Sequence, residues 1–206
     1  MSKIFDWKDS IKKEEIEEVI NFLQNDGIVI FPTDTVYGIG CDCFSEKAIK
    51  KIFEIKNRNK QKAISVLTDD IEKIYYVANI NEKEKKIIEK NMPGALTLVV
   101  NKKEKVPDIL TANLDTIGVR IPNNEIALNI LKVYKKPIAT TSVNISGDDD
   151  GTEVKDFIEE FKNKVDIIVD GGKCNVAIPS TVVKLENGGN LKVLRQGKLK
   201  KEDIKQ

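Results

Sequence analysis

The order of apolar and polar residues predicts helices that alternate with strands. Apolar residues recur at helical spacing over 10–26, 45–55 and 123–134, and short unbroken apolar segments at 28–31 and 95–100 are typical of buried strands. We therefore predict an α/β fold with a twisted, mixed parallel and antiparallel sheet flanked by helices. The residues predicted to cap the three helices are Asp9 or Ser10, Ser45 and Asn123. Further strands are predicted over 63–67, 116–120, 137–140, 166–170, 179–183 and 191–197, and further helices over 71–77, 82–91 and after a capping Thr152.

The stretch FPTDTVYGIGCDC at 31–43 follows the first predicted strand and has the composition of a ligand-binding loop. Pro32 cannot donate to a sheet ladder and therefore ends the strand. The hydroxyl residues Thr33 and Thr35 come next, followed by two glycines. Open α/β sheets bind ligands just beyond the carboxyl ends of their strands. An ordinary turn would have a similar composition, so the hypothesis depends on what lies downstream.

Charged and polar residues also occur downstream where the pattern predicts buried structure. Lys56 continues the apolar stripe of the second helix, and four cations fall within 56–62. This cluster is either a solvated helix end or a clamp for polyphosphate. Arg120 ends an apolar strand, where an arginine is costly unless it is in a salt bridge or in a ligand site. A second strand end rich in hydroxyl and amide groups lies at 140–147, so we expect such strand ends to rim one concave face.

The composition is that of an ordinary globular protein, with 40% hydrophobic and 33% charged residues among 206. The simplest organisation is a single domain over 1–206, with a motif-bearing core at about 10–197 and a solvated lysine-rich tail at 198–206. No apolar run is long enough to cross a membrane, and the N-terminal residues do not resemble a signal peptide. We therefore expect a cytoplasmic protein without membrane contact.

Cysteine and histidine usage narrows the possible chemistry. The three cysteines, Cys41, Cys43 and Cys174, form no disulfide framework. A zinc site needs about four ligands and usually a histidine, and this chain has no histidine, so we predict no metal site in the protein. The same absence excludes Ser-His and Cys-His nucleophiles. Any chemistry must therefore depend mainly on positioning and electrostatics.

Arginine is scarce, because only Arg58, Arg120 and Arg195 stand among 34 basic residues. An arginine can hold a carboxylate or phosphate through two parallel hydrogen bonds, which a lysine cannot do. The formal net charge is +1, so no polybasic field predicts nucleic-acid binding. Any anion site is therefore local, and the three arginines are candidates for it.

Six motifs in register make the sequence similar to a known family. PTDTVYGIGCD, KNR, GVRIP, TTSVNISG, PSTVV and LRQG occur in the order found in the YrdC/TsaC family of L-threonylcarbamoyladenylate synthases. The resemblance extends from about Gly27 to Gly197, which is nearly the whole chain. It implies a YrdC-like fold in the short, single-domain form, with a concave ligand-binding face.

The resemblance also implies a reaction. L-threonine, bicarbonate or carbon dioxide, and ATP would be joined into L-threonylcarbamoyl-AMP, and pyrophosphate would be released. ATP would enter as a substrate with magnesium, and no organic cofactor is implied. The product would pass, in a transient contact, to a tRNA threonylcarbamoyl transferase that modifies the adenosine beside the anticodon. Because the carbamate is already an anion, this reaction needs cations and accurate placement more than a histidine base.

The positions of the motifs assign expected roles to individual residues. The residues that the resemblance places at threonine are Thr35, Arg120, which would hold the carboxylate, and Ser180. The residues that it places at ATP are Lys56, Arg58, Lys62, Thr116, Ser142, Asn144 and Arg195, of which Lys56 and Arg58 are the expected catalytic residues.

The chain departs from the family pattern around the expected phosphate-binding loop. Asn59 and Ala63 stand where prolines are common in the family, and Leu67 stands where a histidine is sometimes found. We expect these differences to affect the shape of the loop, and with it the affinity, more than the chemistry.

Two alternative functions stay open at this level. The first is a module without catalysis that binds RNA or takes part in ribosome maturation; near-zero net charge and few aromatic residues argue against it, although weak RNA binding is compatible with the sequence. A steep fall of affinity with salt would favour it. The second is carbamoyl transfer from carbamoyl phosphate, which the chain argues against because it lacks the acylphosphatase and zinc-finger segments of the related carbamoyltransferases.

Overall fold

The computed structural model describes residues 1–145, 149–174 and 176–206, so the predictions for Ser146 and Gly147 lie outside the described residues. The helices are α1 (Lys13–Gln24), α2 (Glu46–Ile55), α3 (Ile71–Ile74), α4 (Glu82–Asn91), α5 (Asp108–Thr111), α6 (Glu125–Tyr134) and α7 (Ile158–Phe161), with 3₁₀ turns at Val154–Asp156 and Lys201–Asp203. The strands are β1 (Lys3–Asp6), β2 (Val29–Phe31), β3 (Gly38–Asp42), β4 (Ser65–Leu67), β5 (Ala78–Asn79), β6 (Leu96–Lys102), β7 (Thr116–Arg120), β8 (Ile138–Ser142), β9 (Ile167–Asp170), β10 (Thr181–Leu185) and β11 (Leu191–Arg195).

The strands of the described ranges form one mixed sheet. Their order is β1-β9-β2-β3-β8-β4-β7-β6-β10-β11, and β5 pairs with β6. Pairing is parallel for β1 with β9, β2 with β9, β4 with β7 and β6 with β10, and antiparallel for the other neighbours. The predicted α/β class and the mixed sheet flanked by helices are therefore confirmed.

The stretch predicted to be a ligand-binding loop is in large part a central strand. Only the turn at 32–37 follows β2, and the chain then returns as β3, antiparallel to both β2 and β8. Its glycines permit close packing: a Cβ on Gly38 would lie 2.6 Å from a Thr140 methyl carbon, and one on Gly40 would lie 2.9 Å from an Ile138 methyl carbon. The predictions omit β3 because glycines of this kind resemble those of a flexible turn.

Two predicted helix starts are tested by the capping bonds. Ser45 caps α2 as predicted, since its side chain accepts a hydrogen bond from the backbone N–H of Ala48. The prediction that Asp9 or Ser10 caps α1 is wrong. The chain is still extended at Lys12, which occupies the cap position without a side-chain hydrogen bond.

Two other predicted caps are also wrong. Asn124 caps α6, while the backbone N–H of the predicted cap, Asn123, donates to the Asp34 carboxylate. Thr152 does not cap an α-helix, because its hydroxyl and backbone N–H both donate to the Asp156 carboxylate and a 3₁₀ turn follows. The Asp34 and Asp156 carboxylates thus hold Asn123 and Thr152 as hydrogen-bond donors.

Residues of β2 show how the sheet separates two apolar layers. Val29 and Phe31 belong to the layer that contains α1 and α6, whereas Ile28 and Ile30 belong to the layer that contains α2 and α4. This alternation is the period of two expected for a strand buried on both faces. Fully burying each such side chain stabilises the fold by about 1.5–3 kcal/mol.

The other half of the sheet is covered differently. Ile117 and Val119 of β7 and Leu98 of β6 face the same layer as α2 and α4. The opposite face of these strands carries a cleft, and none of the lining residues that the structure describes belongs to a helix. This open face is concave, and polar residues predicted from the sequence lie on it.

The lysine-rich tail at 198–206 is not simply solvated as predicted. Ile204 is only 6% exposed and packs into the core. The Asn91 side chain donates to the backbone carbonyl of Lys205 and accepts from its N–H. Ile204 and the partly buried Leu199 are the apolar residues that dock this charged segment on the core.

Replacement of Gly197 by alanine is expected to lower the free energy of unfolding by about 2–4 kcal/mol. A Cβ there would lie 2.2 Å from the Pro179 carbonyl oxygen and 2.4 Å from the Ser180 carbonyl carbon, so two backbone segments would have to separate. Urea-induced unfolding measures the effect. Gly188→Ala is the matched control, because its Cβ would meet no atom closer than 3.8 Å. Equal stabilities of the two variants would contradict this expectation.

Candidate active site

A cleft of about 790 Å³ lies on the open face of the sheet. Pockets for small ligands commonly have volumes of about 300–1,000 Å³. Its wall includes the turn at 32–37 on one side and the β10–β11 hairpin on the other. The predicted site residues that line it are Thr35, Arg58, Thr116, Arg120, Ser142, Ser180 and Arg195. The predicted residues Lys56, Lys62 and Asn144 are not among the lining residues.

The strand period places polar residues of β7 in the cleft. Thr116, Gly118 and Arg120 line it, whereas Ile117 and Val119, which alternate with them, are buried in the core. Residues two apart on a strand share a face. The polar residues therefore lie along the faces of the strands, and not only at the strand ends as predicted.

Arg120 is buried at the end of β7 and is fixed by three protein groups. Its Nη2 lies 2.6 Å from Asp34 Oδ1 in an ion pair, Nη1 donates to Thr35 Oγ1 at 3.1 Å, and Nε donates to the Gly94 carbonyl at 2.9 Å. A guanidinium has five N–H donors. Two donors therefore remain, one on each Nη, which is the number that a carboxylate can accept in parallel. The sequence left a salt bridge and a ligand site as alternatives for Arg120, and the structure shows that it lines the cleft and is ion-paired.

Asp34 is a site residue that the sequence predictions omit. Burial lowers the pKa of Arg120, and the Asp34 carboxylate opposes that effect. The same carboxylate accepts the backbone N–H of Asn123 at 3.0 Å, so it joins the 32–37 turn to the start of α6. The sequence did contain a signal for Asp34. A buried arginine in a strand needs a carboxylate partner, and Asp34 stands between Thr33 and Thr35.

Ser180 and Arg195 form a second polar group on the hairpin side. Ser180 Oγ lies 2.8 Å from Thr97 Oγ1, and both side chains are buried. Arg195 Nη2 donates to the Ser180 carbonyl at 2.8 Å and contacts Ser180 Oγ at 3.2 Å. Partial burial lowers the pKa of the Arg195 guanidinium. Ser180 therefore orients an arginine that the cleft exposes, and Thr97 is a further lining residue that the sequence analysis did not select.

The predicted cation cluster at 56–62 divides into parts with different surroundings. Arg58 lines the cleft, with Nε donating to the Lys62 carbonyl and Nη2 to the Ala63 carbonyl. Burial and the nearby Arg195 charge lower the pKa of Arg58. Both guanidinium groups line the cleft. The Lys62 side chain is exposed outside the cleft lining. Ala63, which stands where the family often has proline, accepts one of the Arg58 bonds.

Lys56 is 1% exposed and lies behind the cleft wall. Its ammonium donates to the backbone carbonyls of Ser142 and Asn144 and, at 2.8 Å, to Asn144 Oδ1. Ser142 Oγ also donates to Asn144 Oδ1, at 2.9 Å. Burial, together with the Arg58 charge, lowers the pKa of Lys56 to about 7. The end of α2 and the end of β8, selected separately from the sequence, therefore meet at this ammonium, and Lys56 is not part of a solvated helix end.

The described part of the chain shows neither a metal-ligating cluster nor a membrane-spanning helix. In residues 1–145, 149–174 and 176–206, no group of three or more His, Cys, Asp or Glu residues is placed to hold a metal ion. The three cysteines are buried and free, and burial raises the thiol pKa of each of them, to about 11 for Cys174. No helix in those ranges has the length and apolar character needed to cross a membrane.

The fold and this cleft define an α/β protein whose concave site is lined by oriented guanidinium groups and hydroxyls. The chain belongs to the Sua5/YciO/YrdC family, whose sequence profile, described as "Telomere recombination", matches residues 21–197. The resemblance predicted from the six motifs is therefore confirmed.

Individual relatives agree with this assignment. A putative threonylcarbamoyl-AMP synthase of Methanocaldococcus jannaschii is 40% identical over 181 residues, which cover 86% of this chain and 85% of that protein. The structure of Pyrococcus abyssi Sua5 complexed with L-threonine matches with a TM-score of 0.91 at 35% identity, over 95% of this chain but 58% of that one. Escherichia coli YciO shows the same fold, with a TM-score of 0.90 at 23% identity over 99% of this chain and 100% of that chain. The chain thus spans less than two thirds of the P. abyssi protein and most of the M. jannaschii protein.

Proposed function

We propose that this protein is a threonylcarbamoyl-AMP synthase that joins L-threonine, bicarbonate or carbon dioxide, and ATP, and releases pyrophosphate. The observation that carries the proposal is the buried Arg120, held by Asp34, Thr35 and Gly94 with two N–H donors left for a carboxylate. Relatives named threonylcarbamoyl-AMP synthase in M. jannaschii and P. abyssi, and the P. abyssi Sua5 complex with L-threonine, support it.

The proposed reaction uses groups that the cleft provides. The threonine amine loses a proton and adds to carbon dioxide to form a carbamate anion. A carbamate oxygen then attacks the α-phosphorus in line, a P–O bond to the β-phosphate breaks, and pyrophosphate leaves. Phosphoryl chemistry of this kind depends on positioning and on cations that neutralise the phosphates. Arg58 and Arg195 supply such cations in the cleft, with the Lys56 ammonium directly behind Ser142.

The two substrates would occupy different ends of the cleft. Arg120, Thr35 and Ser180 would hold threonine, while Thr116 and Ser142, on β7 and β8, would contact the nucleotide, as would Asn144. Lys62 would have to reach across from its exposed position to touch a phosphate. Magnesium would enter with ATP, because this ion prefers phosphate oxygens and water to protein cages, and the described residues provide no ligand cluster.

The product is a mixed anhydride, which is reactive enough to be passed on directly. We propose a transient contact with a tRNA threonylcarbamoyl transferase in the cytoplasm, where the product would modify the adenosine beside the anticodon. This part of the proposal depends on the family relationship and on the chemistry of the anhydride.

Pyrophosphate release from the purified protein tests the proposal. ATP and magnesium are supplied throughout, and threonine and bicarbonate are added separately and together. Release that requires both is the expected result. Pyrophosphate release that requires neither would indicate hydrolysis of ATP to AMP and pyrophosphate, without transfer to threonine. If no pyrophosphate is released and the affinity for RNA falls steeply with salt, the protein would be an RNA-binding module and not an enzyme.

Replacement of Asp34 by asparagine is expected to raise the KM for threonine about tenfold while the Kd for ATP changes less than about twofold. Asparagine keeps an oxygen for Arg120 but removes the charge that fixes the guanidinium. Threonine-dependent pyrophosphate release and calorimetric ATP titration measure the two effects. Asp9→Asn, on an exposed segment, is the matched control. A parallel loss of ATP affinity would show that Asp34 supports the fold and not the threonine end.

A further inference from the structure

Two lysines on the β10–β11 hairpin face each other across the strands and into the cleft. Lys184 is the direct register partner of Lys192 in this antiparallel pair, and both residues line the cleft and are exposed. Like charges directly opposite each other on neighbouring strands destabilise a sheet. The strand pairing alone therefore does not account for this pair.

The charge of the lining is strongly unbalanced. Among the lining residues that the structure describes, the basic ones are Arg58, Arg120, Lys184, Lys192 and Arg195, and Glu186 is the one acidic residue. Asp150 lies outside this lining, near enough to Arg195 for its charge to oppose the effect of burial on the pKa of that guanidinium. Arg120 is already compensated by Asp34. Glu186 lies 3.8 Å from Lys192 with both side chains more than half exposed, and an ion pair of this kind contributes little. Because the whole chain has a formal net charge of only +1, the cleft concentrates positive charge locally, as a site for a polyanion would.

The strand register places Lys184 in line with Gly118, a residue of the cleft floor, across the sheet. Lys184 pairs with Val99 of β6, and Val99 pairs with Gly118 of β7. At about 4.8 Å per strand, the Lys184 backbone lies about 10 Å from the Gly118 backbone. The four-carbon stem of a lysine covers more than half of that distance. A Cβ on Gly118 would lie 2.8 Å from Ser65 Oγ and 3.0 Å from a Thr97 methyl carbon, so glycine permits the close packing of the side chains that form the floor.

A protective role at the sheet edge does not account for both lysines. Lysines often blunt edge strands against aggregation, and β11 is an edge of this sheet. Lys184, however, is on β10, which is hydrogen-bonded on both sides by β6 and β11. Edge protection therefore explains Lys192 at most.

We propose that Lys184 and Lys192 form a second phosphate-binding subsite at the hairpin end of the cleft, which takes the terminal phosphates of the bound nucleotide. The identity of the nucleotide rests on the proposed function, whereas the affinity for a polyphosphate anion does not. The subsite lies on the far side of β7 from Ser142, so the terminal phosphates would lie beyond Gly118, toward β10. It would retain pyrophosphate after the bond to the α-phosphate has broken.

Calorimetric titrations with ATP, AMP, inorganic pyrophosphate and threonine test the subsite. The variants are Lys184→Gln, Lys192→Gln and the double variant, with Lys132→Gln on the exposed side of α6 as the matched control. The double variant is expected to raise the Kd for ATP and pyrophosphate about tenfold and to leave AMP and threonine within about twofold. Its thermal stability is expected to be equal or higher, because the repulsion between the paired lysines is gone.

Several outcomes would overturn the subsite. Unchanged affinity for ATP and pyrophosphate would do so directly, and so would an equal loss for ATP and AMP, which would point to the shape of the cleft. If the double variant lost affinity only for RNA, titrated in the same way, and that affinity depended steeply on salt, the lysines would belong to a nucleic-acid surface. The proposed function and the subsite can fail separately. If the wild-type protein binds pyrophosphate through these lysines but forms none from ATP, threonine and bicarbonate, the proposed function is wrong and the subsite is still supported.

Discussion

Replacement of Arg120 by lysine is expected to lower kcat/KM for threonine by about 30- to 1,000-fold, which corresponds to about 2–4 kcal/mol of transition-state stabilisation. The native guanidinium makes three separate bonds, to Asp34, Thr35 and Gly94, and still offers two donors to a ligand. A lysine ammonium has only three donors. The nearby Asp34 carboxylate would draw that ammonium to itself, and threonine would lose its planar partner.

Separate measurements of the two substrates make this prediction specific. ATP affinity of the Arg120→Lys protein is expected to stay within about threefold, since Arg120 would contact threonine and not the phosphates. Arg58→Lys provides the opposite case: Arg58 would contact the phosphates, so its replacement is expected to weaken ATP binding more than threonine binding. Equal losses for both ligands in Arg120→Lys, together with a lower melting temperature, would show that the Arg120–Asp34 pair serves the fold alone.

Much of this site could be predicted from local pattern. Lys56 falls on the apolar stripe of α2, and this position alone predicts that its side chain points inward, as it does at 1% exposure. The scarcity of arginine selected Arg58, Arg120 and Arg195, and all three line the cleft. Periodicity also predicted β2 and α2 closely, because β2 is an unbroken apolar run and α2 has a clear apolar stripe.

The features that could not be predicted depend on contacts between distant segments. The bond between Asp34 and Arg120 joins residues 86 positions apart, and no local pattern contains it. The opposition of Lys184 and Lys192 follows from strand register, which a one-residue shift would abolish. In β3, glycines that pack against Thr140 and Ile138 look the same in the sequence as glycines of a turn. Tertiary packing decides each of these cases.

Replacement of Lys56 by methionine is expected to lower kcat by more than about 100-fold and the free energy of unfolding by about 1–3 kcal/mol. Methionine retains much of the buried stem but removes the donor shared by the Ser142 carbonyl and both Asn144 oxygens. The end of β8 would then lose the group that ties it to α2. Turnover and urea-induced unfolding measure the two losses, and Lys132→Gln is the surface control.

The pKa of Lys56 gives this residue a signature that a purely structural lysine would lack. Burial and the Arg58 charge bring its pKa to about 7 in the free protein, against about 10.4 in an unfolded chain. Between these values the unfolded state binds more protons than the folded state, so this residue makes stability rise with pH across that window. Below pH 7 the folded and unfolded forms are both charged at Lys56, and the cost of burying the charge is fully present.

Binding of ATP is expected to raise the pKa of Lys56. Phosphates next to the ammonium favour its charged form and raise the pKa, so at pH 8 the complex is expected to take up as much as about one proton. Calorimetry in two buffers with different ionisation enthalpies measures that number. Lys56→Met is expected to remove the uptake, whereas Lys62→Gln should leave most of it, because Lys62 is exposed. If wild-type protein takes up no proton at pH 8, Lys56 does not approach the phosphates, and its three bonds to Ser142 and Asn144 describe its whole role.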